Sequence, residues 1–258
     1  MPHLQIHHYR LHYQWAEAFD PERATLVFLH DGLGAAGSWR DVPRLIGAAL
    51  GANALVYDRF GYGDSQERRA FGGDFMEGEV PVLLALLAAL GVGRAHLIGH
   101  SDGGSIALLT AAWHPERVGA VVTEAAHTFV EPETQAGIQA LVDLQKAGKT
   151  PGWLGRLHGP RAESLLAIWS GHWLGGEHAA WDIRPEIRGI ACPLLVIQGA
   201  ADEFGTVAQV DSILAAAPQG ESWLVPGCGH TPHTQAEGEF VRRVVDFLRP
   251  LLAGGPGG

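Results

Sequence analysis

Six short apolar runs recur along the chain, each ending at turn residues: Thr25-Leu26-Val27-Phe28-Leu29, Ala54-Leu55-Val56-Tyr57, His96-Leu97-Ile98, Val118 to Thr123, Leu194-Leu195-Val196-Ile197 and Trp223-Leu224-Val225. Several are apolar on consecutive positions, as strands must be when both sheet faces are covered, and segments of helical period lie between them. The pattern predicts a doubly wound, mostly parallel α/β sheet. Helices are expected over Val82 to Leu90, which stops before Gly91, and over Gly103 to Trp113, which stops ahead of Pro115. Phe240, Val241, Val244, Val245 and Leu248 mark a third at helical spacing. Ahead of the first run, Leu4 to Trp15 alternate loosely and are rich in rings, which suits a pair of edge strands. The tail Gly254 to Gly258 is expected to fray.

From about Thr128 to Arg188 this rhythm breaks. No strand-like run appears there, while helical patches do, over Ile138 to Leu144 and Ala162 to Trp169. Residues 128–188 therefore read as a helical lobe inserted between two strands of one domain spanning 1–258, with no repeat and no dividing linker. The lobe holds Trp153, Trp169, Trp173 and Trp181, half of the chain's 8 tryptophans. Such enrichment suits an apolar roof over a ligand pocket, and packing between small helices would use the same residues.

Composition narrows the function. A chain of 258 residues, 47% hydrophobic and 18% charged, can bury a large core. Its charge is 18 − 28 = −10 with no Lys/Arg-rich run, which argues against a nucleic-acid partner. Cys192 and Cys228 are too few for a disulfide scaffold, and no basic flank precedes an apolar segment at the N-terminus. The longest apolar stretch, Val80 to Leu90, contains Pro81 and is too short for a bilayer. The expectation is a reduced, cytoplasmic, soluble protein with no membrane insertion.

A doubly wound sheet places its crevice at the C-terminal ends of its strands, so reactive side chains are sought just after each apolar run. Ser101 lies there, in Gly99-His100-Ser101-Asp102-Gly103. The pattern alone is weak: with 35 glycines and eight serines in 258 residues, roughly 0.15 matches to this motif arise by chance. Its place between a strand and a helix adds weight, because a tight turn there strains the serine, lifts its hydroxyl into the crevice and sets it above a helix N-terminus. A serine at a glycine-rich turn or helix cap is the plainer account. A hydroxyl needs a base and an orienting acid before it can attack. His230, in "PGCGHTPH" after Trp223-Leu224-Val225, combines a strand end with a glycine-rich turn. The acid is sought in "GAADEFG", where Asp202 is favoured over its neighbour Glu203, and where Asp202 could instead cap the helix from Thr206 to Ala217. Zinc ligation by His230 and His233 is disfavoured, because Pro232 breaks helical spacing and no third ligand stands nearby in sequence.

Together these residues, in the order Ser, Asp, His, resemble the α/β-hydrolase superfamily, and the resemblance covers nearly the entire chain. "LVFLHDGLG" looks like that family's first loop, "VYDRFGYGDS" like its second glycine-rich turn, "GHSDGG" like its nucleophile elbow, and "LLVIQGAADEFGT" and "VPGCGHTPH" like its acid and histidine loops. The resemblance implies an eight-stranded sheet with the helical lobe as a cap, Ser101 as nucleophile, His230 as general base and then acid, and Asp202 as orienter. It implies an oxyanion hole from the backbone N–H groups of Asp102 and Gly32, or Leu33 in the next register. One residue departs from the family: Asp31 stands where most relatives carry glycine. A carboxylate there opposes an oxyanion unless it points away or meets a cationic or hydroxylated substrate group. The turn around Asp58, Arg59 and Tyr62 is expected to brace the crevice wall, while His127, Trp153, Trp169 and Trp173 are candidate pocket residues with Asp31.

The implied reaction is acyl transfer to water from a small or medium carboxylic ester, lactone or thioester with an apolar acyl or alkyl portion, without metal or organic cofactor. Serine at the elbow excludes the dehalogenase and epoxide hydrolase branches, which use aspartate. Carbon–carbon hydrolases and haloperoxidase-like perhydrolases share the same triad, and a small-molecule receptor with a slow triad is the alternative of a different class.

Overall fold

A computed structural model describes residues 2–176 and 178–253; the tail expected to fray lies outside the described residues. The apolar runs form strands: β1 (His3–Ile6), β2 (Tyr9–Trp15), β3 (Thr25–Leu29), β4 (Asn53–Tyr57), β5 (Ala95–His100), β6 (Val118–Glu124), β7 (Leu194–Gly199) and β8 (Glu221–Val225). Every residue of β3, β4 and β7 is buried, which is why these segments are apolar without alternation. They join in one eight-stranded sheet of order β1-β2-β4-β3-β5-β6-β7-β8. β2 runs antiparallel to both β1 and β4, and the remaining pairs are parallel.

Nine α-helices complete the described chain: α1 (Val42–Leu50), α2 (Phe75–Ala89), α3 (Asp102–Trp113), α4 (Pro132–Lys146), α5 (Gly152–His158), α6 (Ala162–Trp173), α7 (Val207–Ala216), α8 (Pro232–Gln235) and α9 (Glu237–Leu252). Side chains of β3, β4, β5, β6 and β7 alternate between two cores. Leu26, Phe28, Ile98 and Val122 pack with Ile46 of α1 and Phe240, Val244 and Leu248 of α9. Val27, Leu29, Leu97 and Val121 pack on the opposite face with α2, α3 and α7. Among the described residues no helix is long and apolar enough to cross a membrane.

Helix α2 begins at Phe75, well before the expected Val82, and takes Pro81 into its interior. A proline there removes the bond that the Glu77 carbonyl would accept, yet burial of Phe75, Met76 and Val80 holds the turn preceding it in helical form. Between β6 and β7 stand α4, α5 and α6, and their buried residues Ile138, Leu154, Leu165, Trp169 and Trp173 continue the α2 and α3 core. The insertion thus has no separate core of its own. His158 of α5 fastens it from above: its Nε2–H donates to the Leu33 carbonyl at 2.8 Å, and its Nδ1 accepts the Gly63 N–H at 3.0 Å.

The crossing of β5, α3 and β3 decides where the site can form. A Cβ on Gly103 would overlap the backbone carbonyls of Leu29 and His30, and one on Gly99 would overlap the Gly103 backbone. Neither neighbour is a side chain that could swing aside. Gly103→Ala is expected to destabilise the fold by about 2–3 kcal/mol, read as a lowered urea midpoint. Gly78→Ala, in the interior of α2 where nothing lies within 4 Å of the added Cβ, is expected to stabilise the fold by about 0.5–1 kcal/mol, read as a raised midpoint.

Candidate active site

Ser101 is the residue through which β5 hands over to α3, and its backbone sits at φ 52, ψ −120. That conformation costs a non-glycine residue about 1–3 kcal/mol and persists only where its surroundings enforce it. Here the Ser101 N–H donates to the Glu124 carbonyl at 2.8 Å, and the Ser101 carbonyl accepts from Gly104 N–H at 2.8 Å and Ser105 N–H at 3.1 Å. The turn leaves the Asp102 N–H first in the helix without a partner among the described residues, and the N–H groups of Gly32 and Leu33 are likewise unengaged. Three donors are thus left open around the serine, as an oxyanion requires.

His230 follows β8 and presents Nδ1–H to the Asp202 carboxylate, at 2.9 Å from Oδ1 and 3.0 Å from Oδ2. Asp202 also accepts from the Phe204 N–H at 2.8 Å and from Gln198 Nε2 at 2.6 Å. Burial alone would raise its carboxyl, but the imidazole of His230 and the Phe204 N–H hold it below the usual carboxylate range. Helix α7 is capped by Thr206, whose Oγ1 accepts the Ala208 N–H at 3.1 Å, so Asp202 is not the cap. Glu203 takes a different part, accepting the His230 backbone N–H at 3.3 Å. His233 turns away from His230 and gives Nδ1–H to Glu124 at 2.8 Å, so the two histidines serve separate carboxylates.

A cavity of about 290 Å³ opens at the C-terminal rim of the sheet. Ser101, Asp31, Gly32, Leu33, Asp102, His127 and His230 line it from the sheet side, and Trp153, Trp169 and Trp173 line it from the insertion. Trp181 does not; it packs on Trp173 and donates to Glu77 at 3.3 Å. Thr134, Ile138 and Leu141 of α4, together with Phe204 beside Asp202, complete the apolar wall. The α4 positions follow one another at i, i+4 and i+7, a spacing visible in the sequence but shared by any packed helix.

The model of the alpha/beta hydrolase fold family matches residues 24–187, more than half of the chain. The chain belongs to that family. A 2-hydroxy-6-oxo-6-phenylhexa-2,4-dienoate hydrolase from Burkholderia cepacia is 27% identical over 252 residues, covering 87% of each protein. The serine hydrolase BPHL of Mus musculus is 29% identical over 248 residues, covering 93% of this chain and 83% of that one. Among solved structures, the enol-lactonase from Burkholderia xenovorans LB400 superposes with a TM-score of 0.74 at 24% identity, covering 96% of this chain and 99% of the other. These relatives are hydrolases, and at that level of description so is this chain.

In this hydrolase the open donors are backed by buried charge. Arg59 is completely buried; its Nη2 donates to the Asp31 carbonyl at 2.9 Å and lies 3.6 Å from Asp102 Oδ2. Trp169 of the insertion donates Nε1–H to the same Asp102 oxygen at 3.4 Å, and Asp102 Oδ1 has no partner. Burial raises the Asp102 carboxyl, against the pull of Arg59. His30 is locked as a neutral tautomer, with Nδ1–H given to the Asp31 carbonyl at 2.8 Å and Nε2 accepting the Arg59 N–H at 3.0 Å. The turn around Arg59 therefore does brace the crevice wall. His127 is buried 6.0 Å from the His230 ring with no hydrogen bond to either ring nitrogen among the described residues, and burial drives its pKa down to about 3. It faces the cavity as a neutral imidazole.

Removing Arg59 tests this account of the wall. Arg59→Met leaves the Asp102 carboxylate buried without its cation and is expected to destabilise the fold by about 3–5 kcal/mol near neutral pH. Because the native Asp102 value lies above its unfolded one, stability tied to this group is greatest in acid and is lost as pH rises through the native value. The loss in Arg59→Met, measured by urea unfolding, should accordingly be smaller at mildly acidic than at mildly alkaline pH.

Proposed function

We propose that the chain is a serine hydrolase that cleaves a small or medium carboxylic ester, lactone or thioester through an acyl-enzyme on Ser101. The observation that supports this reading is that His230, bonded to Asp202, lines the same cavity as the strained Ser101 and the open backbone donors. Ser101 Oγ attacks the substrate carbonyl while His230 Nε2 takes its proton. Asp202 holds the other ring nitrogen as a donor, which keeps Nε2 basic and stabilises the imidazolium that forms. The N–H groups of Asp102 and Gly32, with Leu33 adjoining, receive the oxyanion. His230 then protonates the leaving group, and the same ring activates water to release the acyl group. The insertion serves as the cap, and Trp153, Trp169 and Trp173 give it an apolar surface for an acyl or alkyl chain.

Charge around the cavity favours this reading over cleavage of a dienoate, the substrate in the name of the Burkholderia cepacia relative. Such a substrate carries a carboxylate, whereas among the described residues no lysine or arginine lines the cavity, and Glu203 does. Neutral p-nitrophenyl butyrate should accordingly be hydrolysed at least about tenfold faster, in kcat/KM, than an anionic p-nitrophenyl ester of similar length. Equal or reversed rates would count against the ester reading.

A fluorophosphonate probe should label the wild type at Ser101 and not the Ser101→Ala variant, whose turnover of p-nitrophenyl acetate and butyrate should fall to background. Asp202→Asn keeps the shape but favours the wrong tautomer and should lower kcat about 10⁴-fold. Undiminished turnover by Ser101→Ala would defeat the proposal.

A further inference from the structure

His100 is the one member of the Gly99 to Gly103 turn to which this chemistry gives no part, although its ring is buried at the end of β5. Its Nε2–H donates to the backbone carbonyl of His230 at 2.9 Å. On the other side of the ring, Nδ1 lies 3.7 Å from Asp31 Oδ1. Glu124 stands beside it on β6, in register with it, while the rings of His230 and His233 lie 4.9 and 5.1 Å away and Trp39 closes the edge. Burial works against protonation of this imidazole, but the Glu124 and Asp31 carboxylates push its pKa up to about 9. Reciprocally, burial would raise the Asp31 carboxyl, and His100 holds it well below the usual range. Near neutral pH the ring is a cation with two donors, set between two loops that both reach the cavity.

We propose that His100 is a positioning residue for the hydrolysis: by donating to the His230 carbonyl and facing the Asp31 carboxylate, it holds the histidine loop against the oxyanion loop and cancels the charge beside the oxyanion donors. The proposal rests on the reading of Ser101 and His230 as nucleophile and base. It also accounts for a carboxylate in a loop that must receive negative charge. Asp31 adjoins Gly32 in sequence, so its uncancelled charge would slow oxyanion formation on the order of a hundredfold at a few ångströms in a partly buried site. A displaced His230 would add to the loss.

The test uses p-nitrophenyl butyrate hydrolysis by the full chain, corrected for the spontaneous reaction. His100→Gln retains an amide that can reach the His230 carbonyl but has no charge, and it should lower kcat/KM about a hundredfold, mostly through kcat. Adding Asp31→Asn to His100→Gln removes the uncancelled carboxylate and should restore about tenfold of that loss. A side chain that merely fills space would give no such recovery. In the wild type, kcat/KM should fall as pH rises past about 9, where His100 loses its proton, and this alkaline limb should vanish in Asp31→Asn and in the double variant. A His100→Gln rate within about twofold of wild type, a double variant no faster than His100→Gln, or a limb that persists in Asp31→Asn would each overturn the proposal. If His100→Gln does not fold, the limb in wild type and in Asp31→Asn decides the matter alone. Failure of the underlying reading is distinct, since the wild type would then take up no fluorophosphonate at Ser101.

Discussion

The contact between the Gly103 backbone and the carbonyls of Leu29 and His30 is the constraint on which the site depends. It allows α3 to start against the end of β3, which forces Ser101 into its left-handed conformation and leaves the Asp102 N–H without a partner. The same approach brings the loop after β3 within reach of the helix N-terminus, so donors from two separate segments face one cavity. The strain at Ser101 is local, but the force that maintains it is spread over the packed sheet. Replacing either glycine disturbs the sheet and the site together, because the obstructing atoms are backbone.

A second constraint is electrostatic. Asp31, Asp102, Glu124 and Asp202 all lie on the carboxyl rim of the sheet, and each has a cationic or imidazole neighbour: His100, Arg59, His233 and His230 in turn. A buried carboxylate without such a neighbour would cost several kcal/mol. The four pairs also differ in what they leave free. His230 keeps Nε2 unengaged toward the cavity side, whereas His233 spends both ring nitrogens, on Glu124 and on the Ser38 carbonyl. His100 spends one on a carbonyl and turns the other to Asp31. Imidazole–carboxylate pairs thus differ in whether the second ring nitrogen is committed to the fold or left open.

Much of this was legible in the sequence, for a definite reason. Strands covered on both faces must be apolar at consecutive positions, so β3, β4 and β7 declare themselves, and residues following such runs fall on the functional rim without further calculation. Ser101 and Asp202, after β5 and β7, fall on that rim by this rule, whereas His230 follows the largely exposed β8 and is marked by its glycine-rich turn instead. What the rule cannot reach is pairing across long sequence separations. Nothing local to Asp31 points to His100 as its partner, and nothing local to Trp181 separates it from Trp169 and Trp173, which face the cavity while Trp181 faces Glu77. The early start of α2 was hidden because Pro81 argues locally for a boundary, while the burial of Phe75 and Met76 that outweighs it depends on α2 packing against α3 and the sheet.

The insertion and the loop after β3 are not mechanically independent. His158 joins α5 to the Leu33 carbonyl, Trp169 joins α6 to Asp102, and Arg161 reaches the carbonyl of Gly63 in the turn that follows Arg59. Each bond links the insertion to a segment that carries or adjoins one of the open backbone N–H groups. Because Leu154, Leu165 and Trp173 share the core of α2 and α3, lifting the insertion as a body would expose apolar surface as well as break these bonds. None of these three bonds involves Leu141 or the partly exposed Trp153, which line the same cavity. The open donors are thus held by buried polar bonds from above and by glycine contacts from below.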